Sequence, residues 1–380
     1  MLLVVPDTDG GSDYPNALSS NGCIPRKQEL PLTKRCLATL LKVALPVAII
    51  VWLIASLDRE QLRQLGEYPI SWPLLATGFL LATFSVCATF VRWYLLVRAL
   101  DLPFRLADAF RLSFVGYLLN FVAFGSVGGD LFKAVFLARE QPGRRTEAVA
   151  TVFIDRVVGL YSLLVVASAA IAFSDRSAWD ADIKVICNLT LAATAVGTAA
   201  LAVVLLPGWD RSALMLSVYR LPKVGAVVHR LAKALDVYRG KRGLLALIAA
   251  LSVSVHIVFA TAMYLAAAAI FPTHPTLPEH FIILPLSLVA GAIPLAPAGL
   301  GTFEAAMKIL YRVVPAHPGG DGFLVALVFR VITIAVAMVG VGYYWLGRRE
   351  VGELLREAER EADVDSLDGP LADAAPGPPS

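Results

Sequence analysis

A chain of 380 residues that is 57% hydrophobic and only 17% charged, with mean hydropathy +0.69, does not have the composition of a water-soluble domain. Several apolar runs approach the ~20 residues needed to cross a ~30 Å hydrocarbon core, so the fold class expected is an all-α polytopic membrane protein. The net charge of +3 says little by itself and no nucleic-acid partner is expected. Cys23, Cys36, Cys87 and Cys187 have no CxxC spacing, so neither a disulfide framework nor a metal site is expected.

Residues 1–36, rich in Gly, Ser, Asp, Asn and Pro, read as a disordered leader. The start MLLVVPDTDGG has no basic segment and meets Pro6 too early for a secretory signal. Membrane-domain residues 37–346 begin with a span at about Leu37–Leu57 and a second at about Trp72–Val97, with Trp72 and Trp93 placed as interface aromatics. Arg92, Arg98, Arg105 and Arg111 cluster at the far end of the second span. An interrupted pair follows, about Leu106–Phe124 and Gly129–Ala138, broken at Gly125, Gly128 and Gly129. Spans three and four run about Thr146–Phe173 and Ile183–Leu206. Residues 207–242 form a basic connector, either a surface-lying helix or a solvated loop. Span five, about Leu244–Phe271, leads to a second interrupted pair, about Phe281–Leu295 and Thr302–Val314, broken around Pro294, Pro297, Gly299 and Gly301. The last span is about Phe323–Trp345, and residues 347–380 form a charged, then disordered, tail.

Lys and Arg positions set the orientation. With each interrupted pair returning to the side it entered, the 92–111, 139–145, 207–242 and 348–349 clusters all fall on one side. The expectation is therefore six full spans and two re-entrant hairpins, with both termini cytoplasmic. Span two, hairpin and span three then form one unit. Span five, hairpin and span six form a second of opposite orientation, an arrangement in which transporters place substrate at the repeat interface.

The polar residues repeat as well. Each hairpin restarts with an acid and a lysine at helical spacing, Asp130 with Lys133 and Glu304 with Lys308. Arg156 and Arg330 each fall about nine residues into the following span, near the midplane, where an unpaired arginine costs several kcal/mol. One reading makes Arg156 a structural clamp on Asp155 or on a hairpin carboxylate. The other has Arg156, Arg330 and the half-helix N-termini gripping an anionic head group. Asp130 and Glu304 could serve the helix dipole, a cationic head group or a proton. Asn120 is expected to satisfy backbone at the first break, and His256 to be hydrogen-bonded within the bundle. His229, His274, His280 and His317 are expected in loops, and Gly116, Gly159 and Gly291 at packing positions. No nucleophile–base set, phosphate loop or zinc motif appears, and no cofactor or metal is expected.

Three elements carry a resemblance: Asn120 followed by Gly125-Ser126-Val127-Gly128-Gly129-Asp130 and Lys133; Asp155-Arg156-Val157-Val158-Gly159-Leu160; and Pro294, Pro297-Ala298-Gly299-Leu300-Gly301 and Glu304. In order and spacing these resemble the lysylphosphatidylglycerol synthase transmembrane-region family, also called flippase-like domain proteins. Phe124 stands where that pattern usually has proline, and Lys133 replaces an arginine, turning a bidentate grip into a point charge.

The resemblance implies a lipid-handling protein of a plasma (inner) membrane, with a membrane lipid as substrate and lipid-synthesis enzymes encoded separately as possible partners. It does not extend to a soluble aminoacyl-transferase domain, so lysyl transfer is not carried across. The leading expectation is a lipid transporter or flippase acting on a polar or anionic head group, with Arg156, Arg330, Lys133, Asp130, Asp155, Glu304 and Asn120 as its site. The alternatives are a membrane-embedded transferase in polyprenyl-phosphate or glycolipid metabolism, with Asp130 or Asp155 as base, and a non-catalytic scaffold.

Overall fold

The structure, a computed structural model, describes residues 57–122, 128–141, 143–177, 179–206, 235–292, 299–315 and 318–346, with isolated positions within 51–55 and 208–225. The leader, nearly all of the first expected span, most of the basic connector, the tail, and Gly125, Pro294 and Pro297 lie outside the described residues. The described chain is helical: α1 (Arg59–Glu67), α2 (Trp72–Ala99), α3 (Leu106–Val122), α4 (Gly128–Glu140), α5 (Arg145–Phe173), α6 (Ala181–Leu205), α7 (Arg242–Ile270), α8 (Leu277–Ala292), α9 (Thr302–Val313), α10 (Gly322–Ala337) and α11 (Val339–Leu346). Among the described residues there are five spans long and apolar enough to cross a membrane: α2, α5, α6, α7 and the segment Gly322–Tyr343.

Local chemistry sets several of these boundaries. Pro73 in the first turn of α2 needs no N–H partner. The carboxylate of Asp321 caps α10, accepting from the N–H groups of Phe323 (2.7 Å) and Leu324 (3.3 Å). Asp58 and Gln61 form a reciprocal capping box at the start of α1.

The interrupted pairs are helical hairpins. Helices α3, α4, α8 and α9 have 17, 13, 16 and 12 residues. At 1.5 Å per residue each is roughly 18–26 Å long, short of a full crossing. Their outer ends are tied to the ends of the long helices. At one end of the bundle, Arg144 donates to the Leu100 carbonyl (2.9 Å), Gln141 to the Pro103 carbonyl (3.0 Å) and Tyr238 to the Leu96 carbonyl (2.8 Å). Lys241 donates to Asp101 there at 2.6 Å, and that bond holds the Asp101 carboxyl below its usual range. This end therefore gathers the end of α2, both outer ends of the α3–α4 hairpin, and the starts of α5 and α7.

At the opposite end, the Ser71 N–H donates to the Ala269 carbonyl (2.8 Å), Trp179 to the Val314 carbonyl (3.1 Å) and Gln61 to Asp321 (3.2 Å). His280 Nδ1 donates to the Thr276 carbonyl (2.9 Å), and the Tyr311 hydroxyl donates to Nε2 (2.7 Å), clasping α8 to α9. The α8–α9 hairpin thus begins and ends at this second end. The two hairpins enter the bundle from opposite sides.

Packing repeats the inversion. Within the units, α2–α3, α3–α4, α4–α5 and α2–α5 correspond to α7–α8, α8–α9, α9–α10 and α7–α10. Across them, α5 packs on α7 and α8 as α10 packs on α2 and α3, while α2 meets α7. That α2–α7 seam contains small residues, Gly78 and Ala82 on α2 and Ala262 and Ala266 on α7, which allow close approach of the backbones. Ser85 reinforces it, donating to the Val255 carbonyl at 2.6 Å. Helix α6 stands outside this scheme and packs mainly on α5.

Two expectations change and one gains detail. The last span is present as Gly322–Tyr343, with a turn at Met338 that separates α10 from α11, and α11 packs closely on α3, with Gly340 beside the Phe114 carbonyl and Tyr343 stacked on the Phe114 ring. Trp93 is not at an interface but 1% exposed in the core, edge-on to Phe104. His280 is not in a loop but buried within α8.

Candidate functional site

Two apolar clusters fill the two ends of the bundle. One centres on Met263, Ile283, Met307 and Leu324, the other on Trp93, Leu96, Leu112 and Leu137. Between them lies a layer of charged side chains around a cavity of about 540 Å³. Helices α2 to α5 and α7 to α10 all contribute to its wall, so it lies at the junction of the two inverted units. Among the candidate residues, Asn120, Asp130, Lys133, Asp155, Arg156 and Arg330 line it; Glu304 stands behind Arg330.

The first hairpin brings its polar residues to this layer through a close helix crossing. A side chain on Gly129 would run into the Gly116 carbonyl, so α3 and α4 touch backbone to backbone here. The Asn120 amide oxygen accepts from the Gly129 N–H at 2.9 Å, satisfying one donor at the start of α4 as the sequence suggested. One residue on, in the first turn, Asp130 makes an ion pair with Arg156 of α5. Lys133, one turn further along, lies 3.4 Å from Asp130 and holds its ammonium over the Trp93 ring, 4.8 Å from the centroid.

The second hairpin repeats the pairing with different surroundings. Gly301, at φ 85°, opens α9, a conformation that costs glycine nothing. Its N–H donates to Glu304 Oε2 at 2.8 Å. Glu304 Oε1 accepts from Arg330 Nε (2.9 Å) and Nη2 (2.6 Å). The guanidinium also lies over the Phe303 ring, 5.2 Å from its centroid. Asp130 and Arg156 are 26 residues apart, as are Glu304 and Arg330. The expected pairing of Glu304 with Lys308 is not made: Lys308 is exposed, while the buried Glu304 turns inward to Arg330.

Asp155 and Arg156, adjacent in sequence, point to different partners because neighbouring residues on a helix diverge by about 100°. Asp155 is buried against Arg92 of α2, whose Nε donates to Oδ1 at 2.8 Å and whose Nη2 donates to the Asp155 carbonyl at 3.4 Å. Arg92 is thus a buried ion-pair partner and not a member of the terminal basic cluster to which its neighbours assigned it. The Arg92 guanidinium lies against Gly159, and His256 Nε2 donates to the Gly159 carbonyl at 3.0 Å, joining α2, α5 and α7. A sequence signal for Arg92 existed: its place 20 residues into a 28-residue apolar helix, well short of the last turn. No counterpart exists in the second unit, where Ala266 and Phe329 occupy the equivalent places at the same offset that relates Asp130 to Glu304.

Among the described residues, four cations (Arg92, Lys133, Arg156, Arg330) line the cavity and are paired with three carboxylates (Asp130 and Asp155 in the lining, Glu304 behind Arg330), an excess of one positive charge. No group of three His, Cys, Asp or Glu suited to hold a metal occurs among the described residues. Such a site suits an anion whose charge offsets the excess and whose oxygens accept from guanidinium.

The family model described as Lysylphosphatidylglycerol synthase TM region matches residues 39–340, which take in every described helix except most of α11. No individually curated protein matches the chain.

Proposed function

This chain belongs to the lysylphosphatidylglycerol synthase TM-region family and is an integral membrane protein, and from that premise we propose that it moves an anionic lipid head group between leaflets through the central cavity. The observation that carries the reading is a cavity with excess positive charge at the interface of two oppositely oriented units, each containing a broken hairpin. Inverted units can exchange conformations by rocking, which exposes a central site to each side in turn. Arg156 is the principal head-group ligand, since its side chain is half-exposed beside the cavity and its partner Asp130 also has Lys133 nearby. A lipid phosphate can compete for a guanidinium in that setting. The end carrying Arg98, Arg105, Arg139, Arg144, Arg145, Lys241 and Arg242 faces the cytoplasm of a plasma membrane in this reading.

The test is leaflet exchange of fluorescently labelled phosphatidylglycerol in proteoliposomes. Arg156→Gln is expected to slow exchange by roughly tenfold or more, the value of a charge-assisted contact, while the amount of folded protein is unchanged. Exchange at the wild-type rate removes Arg156 from the path. Orientation is checked separately with single cysteines in a background lacking the native ones. Pro272→Cys and Pro318→Cys, flanking the second hairpin, should both react with an impermeant thiol reagent outside intact cells. Arg105→Cys and Arg145→Cys, flanking the first, should both react only after permeabilisation.

A further inference from the structure

Two acid–arginine pairs repeat at the restart of the hairpins, and a head group bound by Arg156 opens one of them. When a phosphate takes the Arg156 guanidinium, Asp130 loses its ion-pair partner. The Asp130 side chain is only 13% exposed, and a largely buried carboxylate left without a cation is costly. Either a proton or a second cation has to take the place of Arg156.

The groups around Asp130 decide between the two. Lys133, one turn along α4, holds its ammonium 3.4 Å from Oδ1, and Oδ1 has no hydrogen-bond partner among the described residues. Closing to a charge-assisted bond of about 2.8 Å takes a movement of roughly 0.6 Å, small for a flexible lysine stem. In the structure the ammonium lies over the Trp93 ring, 4.8 Å from its centroid, a weaker attraction than a direct ion pair. The other cations of the layer are committed, Arg92 of α2 to Asp155 of α5 and Arg330 of α10 to Glu304. From α3, the titratable group lining the cavity is Tyr117, which carries no positive charge in either state.

We propose that Lys133 is the standby counter-ion of Asp130: it moves from the Trp93 ring onto Oδ1 as Arg156 turns to the head group, so exchange proceeds without taking up a proton. This rests on the reading of Arg156 as head-group ligand and adds how the site keeps its charge balanced. Lys133 acts through Asp130 and is a positioning residue. The second unit supplies the contrast. Three residues after Glu304, where Lys133 follows Asp130, stands Met307, uncharged and fully buried. The buried Glu304–Arg330 pair has no replacement for its arginine, and the pair that opens has one.

The test follows labelled phosphatidylglycerol in proteoliposomes at about pH 7.5 and about pH 5.5, a range in which an unperturbed carboxylate stays ionised. Wild-type exchange is expected to differ by less than about twofold between the two, and to persist when an ionophore collapses a pH gradient. Lys133→Met should be roughly tenfold slower at the higher pH and recover most of that loss at the lower one, because a proton then neutralises Asp130. Lys133→Arg, which keeps a cation, should stay flat with pH. The double variant Asp130→Asn/Lys133→Met has no charge to neutralise and should also stay flat, whereas a pH dependence arising elsewhere in the cavity, as at His256, would survive in it. Should Lys133→Met fail to accumulate as folded protein, Lys133→Gln is read in the same way. Wild-type exchange that stops when the gradient collapses overturns the standby role. So does a Lys133→Met profile as flat as the wild type, or a double variant as pH-dependent as Lys133→Met. Arg156→Gln exchanging at the wild-type rate overturns the head-group reading and the standby role together. Arg156→Gln slow beside a flat Lys133→Met profile removes the standby role alone.

Discussion

In the first unit Asp130 meets Arg156, whose side chain is 51% exposed; in the second, Glu304 meets Arg330 with side-chain exposures of 1% and 8%. The residue types, the 26-residue separation and the position at the restart of a broken hairpin are the same. What differs is the surroundings. Glu304 is held by the Gly301 N–H and two bonds from one guanidinium, and that guanidinium lies over a phenyl ring. Asp130 shares its charge between Arg156 and Lys133, and Oδ1 is left without a hydrogen bond. Duplicated topology places two equivalent ion pairs in the membrane, but packing makes one a fastener between α9 and α10 and leaves the other open to a competitor. Desolvation is the physical reason: a buried pair is expensive to break, whereas an exposed one exchanges its partner at little cost.

The sharpest way to break that comparison is to remove the two acids separately. Glu304→Ala leaves Arg330 buried without its carboxylate and is expected to destabilise the fold by about 3–5 kcal/mol, read as lost thermal stability in detergent. Asp130→Ala, with Arg156 half-exposed at the cavity and Lys133 beside it, should cost distinctly less in the same measurement. Equal losses would mean that the exposure of Arg156 does not govern its energetics.

The Arg92–Asp155 pair sharpens the contrast, since the second unit does without it. Arg92→Leu and Asp155→Leu should each cost about 3–5 kcal/mol, because each strands a buried charge. The double variant, which makes the first unit as apolar here as the second, should recover most of that loss. A double variant no better than the sum of the singles would show that the pair holds α2 and α5 in register by more than charge neutralisation.

The hairpin crossings provide a smaller contrast. An alanine at Gly129 places its methyl group 1.9 Å from the Gly116 carbonyl oxygen, where only backbone movement relieves the clash. An alanine at Gly291 meets the Phe303 side chain at 3.2 Å, which can yield by a few tenths of an ångström. Gly129→Ala is expected to cost about 1–3 kcal/mol and Gly291→Ala distinctly less, both measured by thermal unfolding.

Much of the architecture was legible in the chain because a bilayer imposes one-dimensional rules. A helix must be apolar over a fixed length, and backbone can be broken only where protein or water receives it, so Leu106–Val122 and Gly128–Glu140 announced a hairpin before any contact was known. Glycines at 116, 159 and 291 and the Asn120 side chain were likewise readable, since close approach and an unpaired N–H have few residue solutions.

Partner choice was not readable in the same way. Sequence spacing offered Lys308 to Glu304, and either Asp155 or a hairpin carboxylate to Arg156; the folded chain joins Glu304 to Arg330, Arg156 to the hairpin carboxylate Asp130, and Asp155 to Arg92. Two of these pairs span 26 residues and one spans 63. Hydropathy and charge counts fix which segments enter the membrane, because lipid reads each helix independently. Which arginine a buried acid meets depends on the rotation of each helix about its axis and on the crossing of its neighbours. Both are set by side-chain packing at the α2–α7 seam and the hairpin crossings, so only the tertiary structure could separate the fastened pair from the open one.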